Sequence, residues 1–319
     1  MRPPFEWDTP LTVWHMPVVA VIVLAVLAAA YAVGVVRAPQ WRIRDAASFY
    51  AGLAVCALSV GGGIGVYSTT LFTVHMGQHL LLIMVVPTLL LLGRPLELLR
   101  RTAPPRVRRA LGRAARSKPV SVLTHPVVVF LYYAVVVATT HLTPFQQTAA
   151  THPAVHTVEL LLYLSSGYLF LLRIVGFEPI GRRLAPLLRL VTLLIGMVVD
   201  TVVGVTLLMT VHPPFPAYVD PGRGWGPDAI EDLHWGGAMM WVGGDLLMAA
   251  LAILVIAAWV TSSPGGADLG SWLESARRSA LTEHTGAIAP GVNLDEDEEA
   301  LRAYNAMLAH LADRRERPE

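Results

Sequence analysis

The chain has 319 residues, of which 54% are hydrophobic and 15% are charged, and its formal net charge is +1. This balance excludes an ordinary soluble domain, in which about 25% of residues are charged, and it predicts an integral membrane protein. The single cysteine, Cys56, excludes an internal disulfide framework. Because Cys56 lies in an apolar stretch, we expect it to pack in the core rather than to bind a metal.

Seven apolar stretches are each long enough to cross a hydrocarbon layer about 30 Å thick, at about 1.5 Å per helical residue. Acidic Glu6 and Asp8 near the N-terminus are unlike the basic region of a cleaved signal peptide, so we expect the first stretch to be retained. The seven predicted spans lie near residues 14–36, 47–67, 72–93, 124–142, 155–176, 187–211 and 235–260. The sequence therefore predicts an all-α polytopic membrane protein, with a seven-transmembrane helix bundle over residues 1–262 and a short, partly helical cytoplasmic tail over residues 263–319.

Two of these spans carry residues that alter a helix. The glycines Gly61, Gly62, Gly63 and Gly65 in the second span predict a close contact with another helix. Pro87 in the third span removes a backbone donor, which predicts a kink unless neighbouring groups compensate.

Lysine and arginine are distributed unevenly between the loops. If the seven spans alternate in direction, 22 of the 24 basic residues fall on one side, and only Arg2 and Arg223 fall on the other. Because cytoplasmic loops are enriched in these residues, the sequence predicts a plasma-membrane protein with its N-terminus outside and its C-terminus in the cytoplasm. The arginine-rich third loop is expected to set this topology and to contact anionic membrane lipids, with no need to invoke nucleic acid.

Histidines concentrate at the predicted outer ends of the spans. His75 and His79 open the third span and His152 and His156 open the fifth, and each pair has the spacing H-x-x-x-H. This spacing places two imidazoles on one face of a helix, one turn apart. Glu159 lies three residues after His156 and continues that face. The other outer histidines are His15, His141, His212 and His234.

Two carboxylates lie deeper in the predicted membrane region. Asp200 is near the middle of the sixth span, and Asp245 is in the seventh, where His234, Trp241, Asp245 and Met248 recur at intervals that predict one common helix face. A carboxylate in a membrane is costly unless it is paired or neutralised. We therefore expect Asp200 and Asp245 either to form part of a polar pathway or to make hydrogen bonds between helices.

Imidazole, thioether and carboxylate groups without a thiolate favour copper in either oxidation state, or zinc. Met76 beside His75 tilts this choice towards Cu(I). The candidate metal ligands are His75, Met76, His79, His152, His156, Glu159 and His234. The sequence contains no H-E-x-x-H motif, phosphate-binding loop or nucleophile elbow, so we expect a protein that handles a metal rather than an enzyme.

Two segments carry a resemblance to a known family. The stretch HMGQHLLLIMVVPTLLLLGRPLELL, at residues 75–99, and the stretch EDLHWGGAMMWVGGDLL, at residues 231–247, resemble the CtaG family of assembly factors for caa-type cytochrome c oxidase. The second matches the family signature D-x-x-x-G-G-x-x-M-W. The resemblance covers roughly residues 10–260, and His156 matches a family histidine, whereas Glu159 stands near an implied second histidine.

The resemblance implies maturation of the copper centre of a client, a cytochrome c oxidase subunit, with copper received at the outer face and passed inward. Two other functions use similar residues. A copper transport or resistance protein would need polar groups that continue to the cytoplasmic face. A b-type cytochrome would need two facing histidines, such as His79 and His156.

The predicted tail includes a helical segment over residues 294–317, with acidic residues first and basic residues last, as suits a helix dipole. Leu301, Tyr304, Leu308 and Leu311 form an apolar stripe along it. This stripe is suited either to packing on the cytoplasmic face or to pairing with a second copy in a homodimer.

Overall fold

The computed structural model describes residues 2–176, 184–220, 222–262, 277, 279, 281 and 298–316. Within these residues the regular structure is helical, without strands. Six helices are long and apolar enough to cross a membrane, and a bent pair, which turns by 72°, makes a seventh span if it is counted as one. In chain order, spans 1 to 7 are Val18–Val36, Ile43–Tyr67, Phe72–Thr102, the bent pair Pro126–Leu142 and Phe145–Thr151, Pro153–Val175, Pro186–Leu208, and Ala229–Thr261. The predicted all-α polytopic fold is confirmed.

Shorter helices connect or flank the spans. They are Thr9–Thr12 before span 1, Pro105–Ala115 and Lys118–Leu123 between spans 3 and 4, the 3-10 turn Pro216–Tyr218 between spans 6 and 7, and Glu298–Glu316 in the tail. The arginine-rich helix Pro105–Ala115 buries none of its residues.

Span 3 has neighbours on several sides. It packs against spans 2, 5 and 7. Span 5 also packs on span 4, span 4 on span 6, and span 6 on span 7, so spans 3, 5, 4, 6 and 7 form a closed ring. Span 1 packs on span 2 and on the end of span 3. Spans 3 and 5 are direct neighbours, which brings their histidine-bearing ends together.

A π-helical segment, Leu81–Val85, lies directly before the proline of span 3. Pro87 has no backbone N–H, so the carbonyl of Ile83 lacks its usual helical partner. Gly167 of span 5 lies directly against this carbonyl, and a Cβ atom at that position would collide with it. The absence of a side chain at Gly167 therefore allows spans 3 and 5 to approach closely just below the histidines.

A second π-helical segment, Met239–Gly243, interrupts span 7. A π turn holds an extra residue and changes the register of the positions that follow it. Met248 is fully buried, whereas Trp241 is 38% exposed. The predicted face of span 7 is therefore not a single buried face, because the π turn rotates its two halves relative to each other.

The glycine run ends the first part of span 2. Its helix Ile43–Gly61 stops at Gly62 and resumes as Gly63–Tyr67. The His15 N–H donates to the Gly61 carbonyl at 2.7 Å, and Gly63 lies against the backbone of Thr9. The predicted close contact is present, and its partner is the N-terminal segment rather than another span.

The chain divides into two compact units, Met1–Val255 and Ile256–Glu319. In the second unit, the Arg277 guanidinium lies 5.9 Å from the centre of the Tyr304 ring. In the predicted apolar stripe of the tail helix, Leu308 is exposed and its neighbour Met307 is buried instead. The side chain of Leu311 lies outside the described residues, as do residues 263–276 and 282–297.

Candidate metal centre

The helix that carries His75 and His79 is capped by a distant residue. Leu71 precedes span 3 and has no side chain that could cap it. The carboxylate of Asp232, in span 7, accepts hydrogen bonds from the backbone N–H of Phe72 at 2.7 Å and of Thr73 at 3.0 Å. Asp232 is fully buried. The first residue of the signature in span 7 therefore fixes the first turn of span 3, which leads directly to His75.

Three of the predicted ligands converge between spans 3 and 5. His75, His156 and Glu159 each place one ligand atom within 4.8 Å of the other two. His75 Nε2 lies 3.8 Å from Glu159 Oε1, and the rings of His75 and His156 are 6.4 Å apart. His75 and Glu159 are buried, while the His156 side chain retains 16% of its exposure. We call this group the first position.

Hydrogen bonds define the roles of the groups in the first position. His156 Nδ1 lies 3.1 Å from Glu159 Oε2, and the Tyr163 hydroxyl donates to Glu159 Oε1 at 3.0 Å. A carboxylate accepts hydrogen bonds, so Nδ1 of His156 carries the proton and its Nε2 keeps a lone pair. Such a carboxylate partner orients a metal-binding imidazole and increases its basicity. Glu159 thus orients His156 and brings one negative charge to the cluster.

Two further imidazoles face each other beside the first position. The rings of His79 and His141 are 4.8 Å apart, and Tyr163 packs 4.2 Å from His79 and 5.9 Å from His141. His141 Nδ1 lies 2.8 Å from the Val137 carbonyl, which can only accept, so Nδ1 is protonated and Nε2 has the free lone pair. His79 and His141 are each 1% exposed. We call this pair the second position.

His141 and Tyr163 were not among the predicted ligands or their neighbours. His141 is visible in the sequence as a histidine at the outer end of span 4. It has no second histidine one turn away, and that pairing was the signal that selected His75, His79, His152 and His156.

The imidazoles of the cluster have nitrogen atoms without partners. Within the part of the chain that the structure describes, both ring nitrogens of His75, both of His79, and Nε2 of His141 are buried without a hydrogen-bond partner. A buried polar atom without a partner costs about 1–3 kcal/mol. The buried nitrogen lone pairs of the cluster can therefore bind a ligand, and binding one would remove this cost.

A layer of side chains covers the cluster at this end of the bundle. Gln146, on the short arm of bent span 4, donates to the Tyr218 hydroxyl at 2.9 Å, and that hydroxyl donates to the Ser68 carbonyl at 3.1 Å. Burial and the nearby negative charge of Glu159 raise the pKa of Tyr218, so its hydroxyl stays protonated. The Tyr218 ring lies 6.5 Å from that of His75. The bend of span 4 thus folds its arm over the histidines.

Three predicted ligands lie away from this cluster. His152 is exposed and precedes the helix that carries His156. Its Nδ1 lies 2.9 Å from the Thr151 hydroxyl and 3.2 Å from the Thr148 carbonyl. His234 lies 2.8 Å from the Thr210 carbonyl through Nε2. Met76 is buried beside Gly236 of span 7. The cluster therefore draws on His75, His79, His156 and Glu159 of the predicted set.

The two deep carboxylates connect spans 4, 6 and 7. The Tyr133 hydroxyl donates to Asp200 Oδ1 at 2.6 Å, and the Thr201 hydroxyl donates to Asp245 Oδ2 at 3.1 Å. Asp200 is 1% exposed. These contacts correspond to the predicted hydrogen bonds between helices.

Comparisons with known proteins identify the family of the chain. The chain is 30% identical over 316 residues to uncharacterised proteins of Mycobacterium bovis and Mycobacterium tuberculosis, a match that covers 95% of the chain and 45% of each relative. A Mycobacterium leprae protein is 27% identical over 313 residues, with 94% of the chain and 45% of the relative covered. The chain thus spans about half the length of these relatives. No solved structure matches it. The family model for the cytochrome c oxidase caa3 assembly factor matches residues 29–262, and the chain belongs to this family.

Proposed function

We propose that the protein assists assembly of a cytochrome c oxidase by binding Cu(I) at His75, His156 and Glu159 and helping to deliver it to the copper centre of an oxidase subunit. One observation carries this proposal. Two imidazoles and a carboxylate from spans 3 and 5 converge within 4.8 Å in the interior of an apolar bundle. Copper is one of the ions that imidazole ligands suit.

The charges of this site suit Cu(I). Two neutral imidazoles and one carboxylate balance the single positive charge of the ion, so the buried carboxylate of Glu159 gains a partner of opposite charge. The set also supplies few donors, so a coordination position stays open. An ion held in this way can be transferred to a client by exchange of ligands, without a change in oxidation state.

The partial exposure of His156 supports a route into the site. His75 is 1% exposed, whereas the His156 side chain retains 16% of its exposure, and His152 is exposed one turn before it. Copper would first meet His156 and then reach His75. The distribution of basic residues supports an orientation with this end of the bundle at the outer face of the plasma membrane.

The packing around His79 favours copper over haem. In a b-type cytochrome the macrocycle lies between two histidines. Here the His79 ring lies 4.2 Å from Tyr163 and 4.8 Å from His141, so side chains fill the space that a macrocycle would need. The deep carboxylates Asp200 and Asp245 have partners on neighbouring spans, which favours a structural role over an import pathway.

The test compares copper per purified protein, and oxidase copper and activity in the membranes, for wild type, His75→Ala and the control His15→Ala. His15 is an exposed histidine near the same end of the bundle. We expect His75→Ala to lower copper per protein and oxidase activity, and His15→Ala to leave both unchanged. Equal copper and equal activity in wild type and His75→Ala would refute the proposal.

A further inference from the structure

The second position, His79 with His141, is not needed to explain binding of one ion at the first position. We infer that it is a second Cu(I) site, so that the full chain binds two copper ions side by side. This inference rests on the proposed function, because it assumes that the ion is copper. It assigns a ligand, His141, that neither the sequence motifs nor the first position includes.

The hydrogen-bonding state of the two imidazoles supports this site. His141 uses Nδ1 on the Val137 carbonyl at 2.8 Å, and a backbone carbonyl of this kind fixes which nitrogen remains available to a metal. Its Nε2 is buried and has no partner among the described residues, and the same holds for both nitrogens of His79. The rings of these two buried imidazoles are 4.8 Å apart, and three of their four nitrogen atoms have no hydrogen-bond partner among the described residues, so the pair can bind a metal ion.

The alternative is that the two imidazoles bond to each other. A hydrogen bond would use one nitrogen of each ring, yet no contact of this type connects His79 and His141, and Nε2 of His141 stays without a partner in the described part of the chain. Burial of both rings to 1% exposure without such a bond is unfavourable unless a ligand takes up the lone pairs. Cu(I) accepts as few as two imidazole donors, so this pair is sufficient.

Tyr163 and His75 place the two positions next to each other. The Tyr163 hydroxyl donates to Glu159 of the first position at 3.0 Å, while its ring packs on His79 of the second. The His75 ring lies 6.1 Å from that of His141 and 6.4 Å from that of His156. A Cu(I) ion can therefore pass from the first position to the second by exchanging one imidazole at a time. The second position takes the ion farther from the partly exposed His156.

The experiment titrates the purified full chain with Cu(I) under anaerobic, reducing conditions and measures bound copper per protein. Wild type is expected to bind two ions. His141→Asn is expected to bind one, because its amide can still donate to the Val137 carbonyl while the Nε2 ligand is lost. His156→Ala is also expected to bind one ion. The matched control is His125→Asn, at the exposed opposite end of span 4, which is expected to keep two.

The outcomes separate this inference from the proposed function. One ion in wild type, or two ions in both wild type and His141→Asn, would overturn the second site and leave copper binding at the first position intact. No bound copper in wild type would overturn both. The folding of His141→Asn is checked by size-exclusion chromatography and circular dichroism. If it does not fold, the number of ions bound by wild type and by His79→Gln tests the second site instead, and His79→Gln is expected to bind one ion.

Discussion

The helix cap formed by Asp232 is expected to contribute strongly to the free energy of unfolding of the protein. Its carboxylate holds the first two backbone N–H groups of span 3, at 2.7 and 3.0 Å, in a fully buried setting. Hydrogen bonds to a charged group contribute about 1.5–3 kcal/mol each, and their loss leaves buried donors without partners. We therefore expect Asp232→Ala to lower the free energy of unfolding by about 3–5 kcal/mol, and Asp232→Asn, which keeps one acceptor, by about half as much.

The assay is thermal unfolding of the purified protein in one detergent, followed by circular dichroism. A loss of this size lowers the Tm by about 10 °C in a chain of this length. Asp228→Ala is the matched control, since Asp228 also accepts from two backbone N–H groups, at 3.0 and 2.8 Å, but is exposed. An exposed cap contributes about 1 kcal/mol. Equal Tm values for Asp232→Ala and Asp228→Ala would refute the reasoning.

Three further predictions concern the close helix approach, the carboxylate of the site and the topology. Gly167→Ala should lower the Tm, because overpacking against the Ile83 carbonyl costs about 1–3 kcal/mol, whereas Gly112→Ala, in open surroundings, should raise it slightly; shifts of the same sign would contradict this. Tyr163→Phe should weaken Cu(I) binding by about tenfold in a chelator competition, with copper per protein unchanged, because Glu159 loses a donor; an unchanged affinity would count against it. A cytoplasm-dependent reporter fused to the C-terminus should be active, and a silent one would reverse the proposed orientation.

Much of the fold can be read from local sequence. The length and hydropathy of the apolar stretches predict the spans, because a helix in a membrane must satisfy its backbone internally and cover itself with apolar side chains. The H-x-x-x-H pairs likewise identified His75, His79 and His156, since one turn of a helix brings such residues to a common face. The motifs in spans 3 and 7 were also sufficient to indicate the family.

Local periodicity failed where the helices are irregular. His152 shares the spacing of His156 but precedes the first turn of the helix, so its side chain turns to Thr148 and Thr151 instead of following the helical face. In span 7 the π turn Met239–Gly243 separated Trp241 from the buried face of Met248. Pro153, which follows His152, is a local signal that the helix starts after His152, whereas the π turn has no strong local signal.

The sequence by itself determined the membrane-spanning helices, their family and the histidine pairs, because hydropathy, spacing and motifs are properties of neighbouring residues. Only the tertiary structure decided which side chains meet. The orientation of span 4 about its axis places His141 against His79. Gly167 allows span 5 to pack closely on span 3, so Tyr163 and Glu159 lie beside these histidines. The cap of span 3 by Asp232 likewise joins residues that are distant in the chain. These contacts depend on how the helices of the ring pack against one another, which no single span encodes.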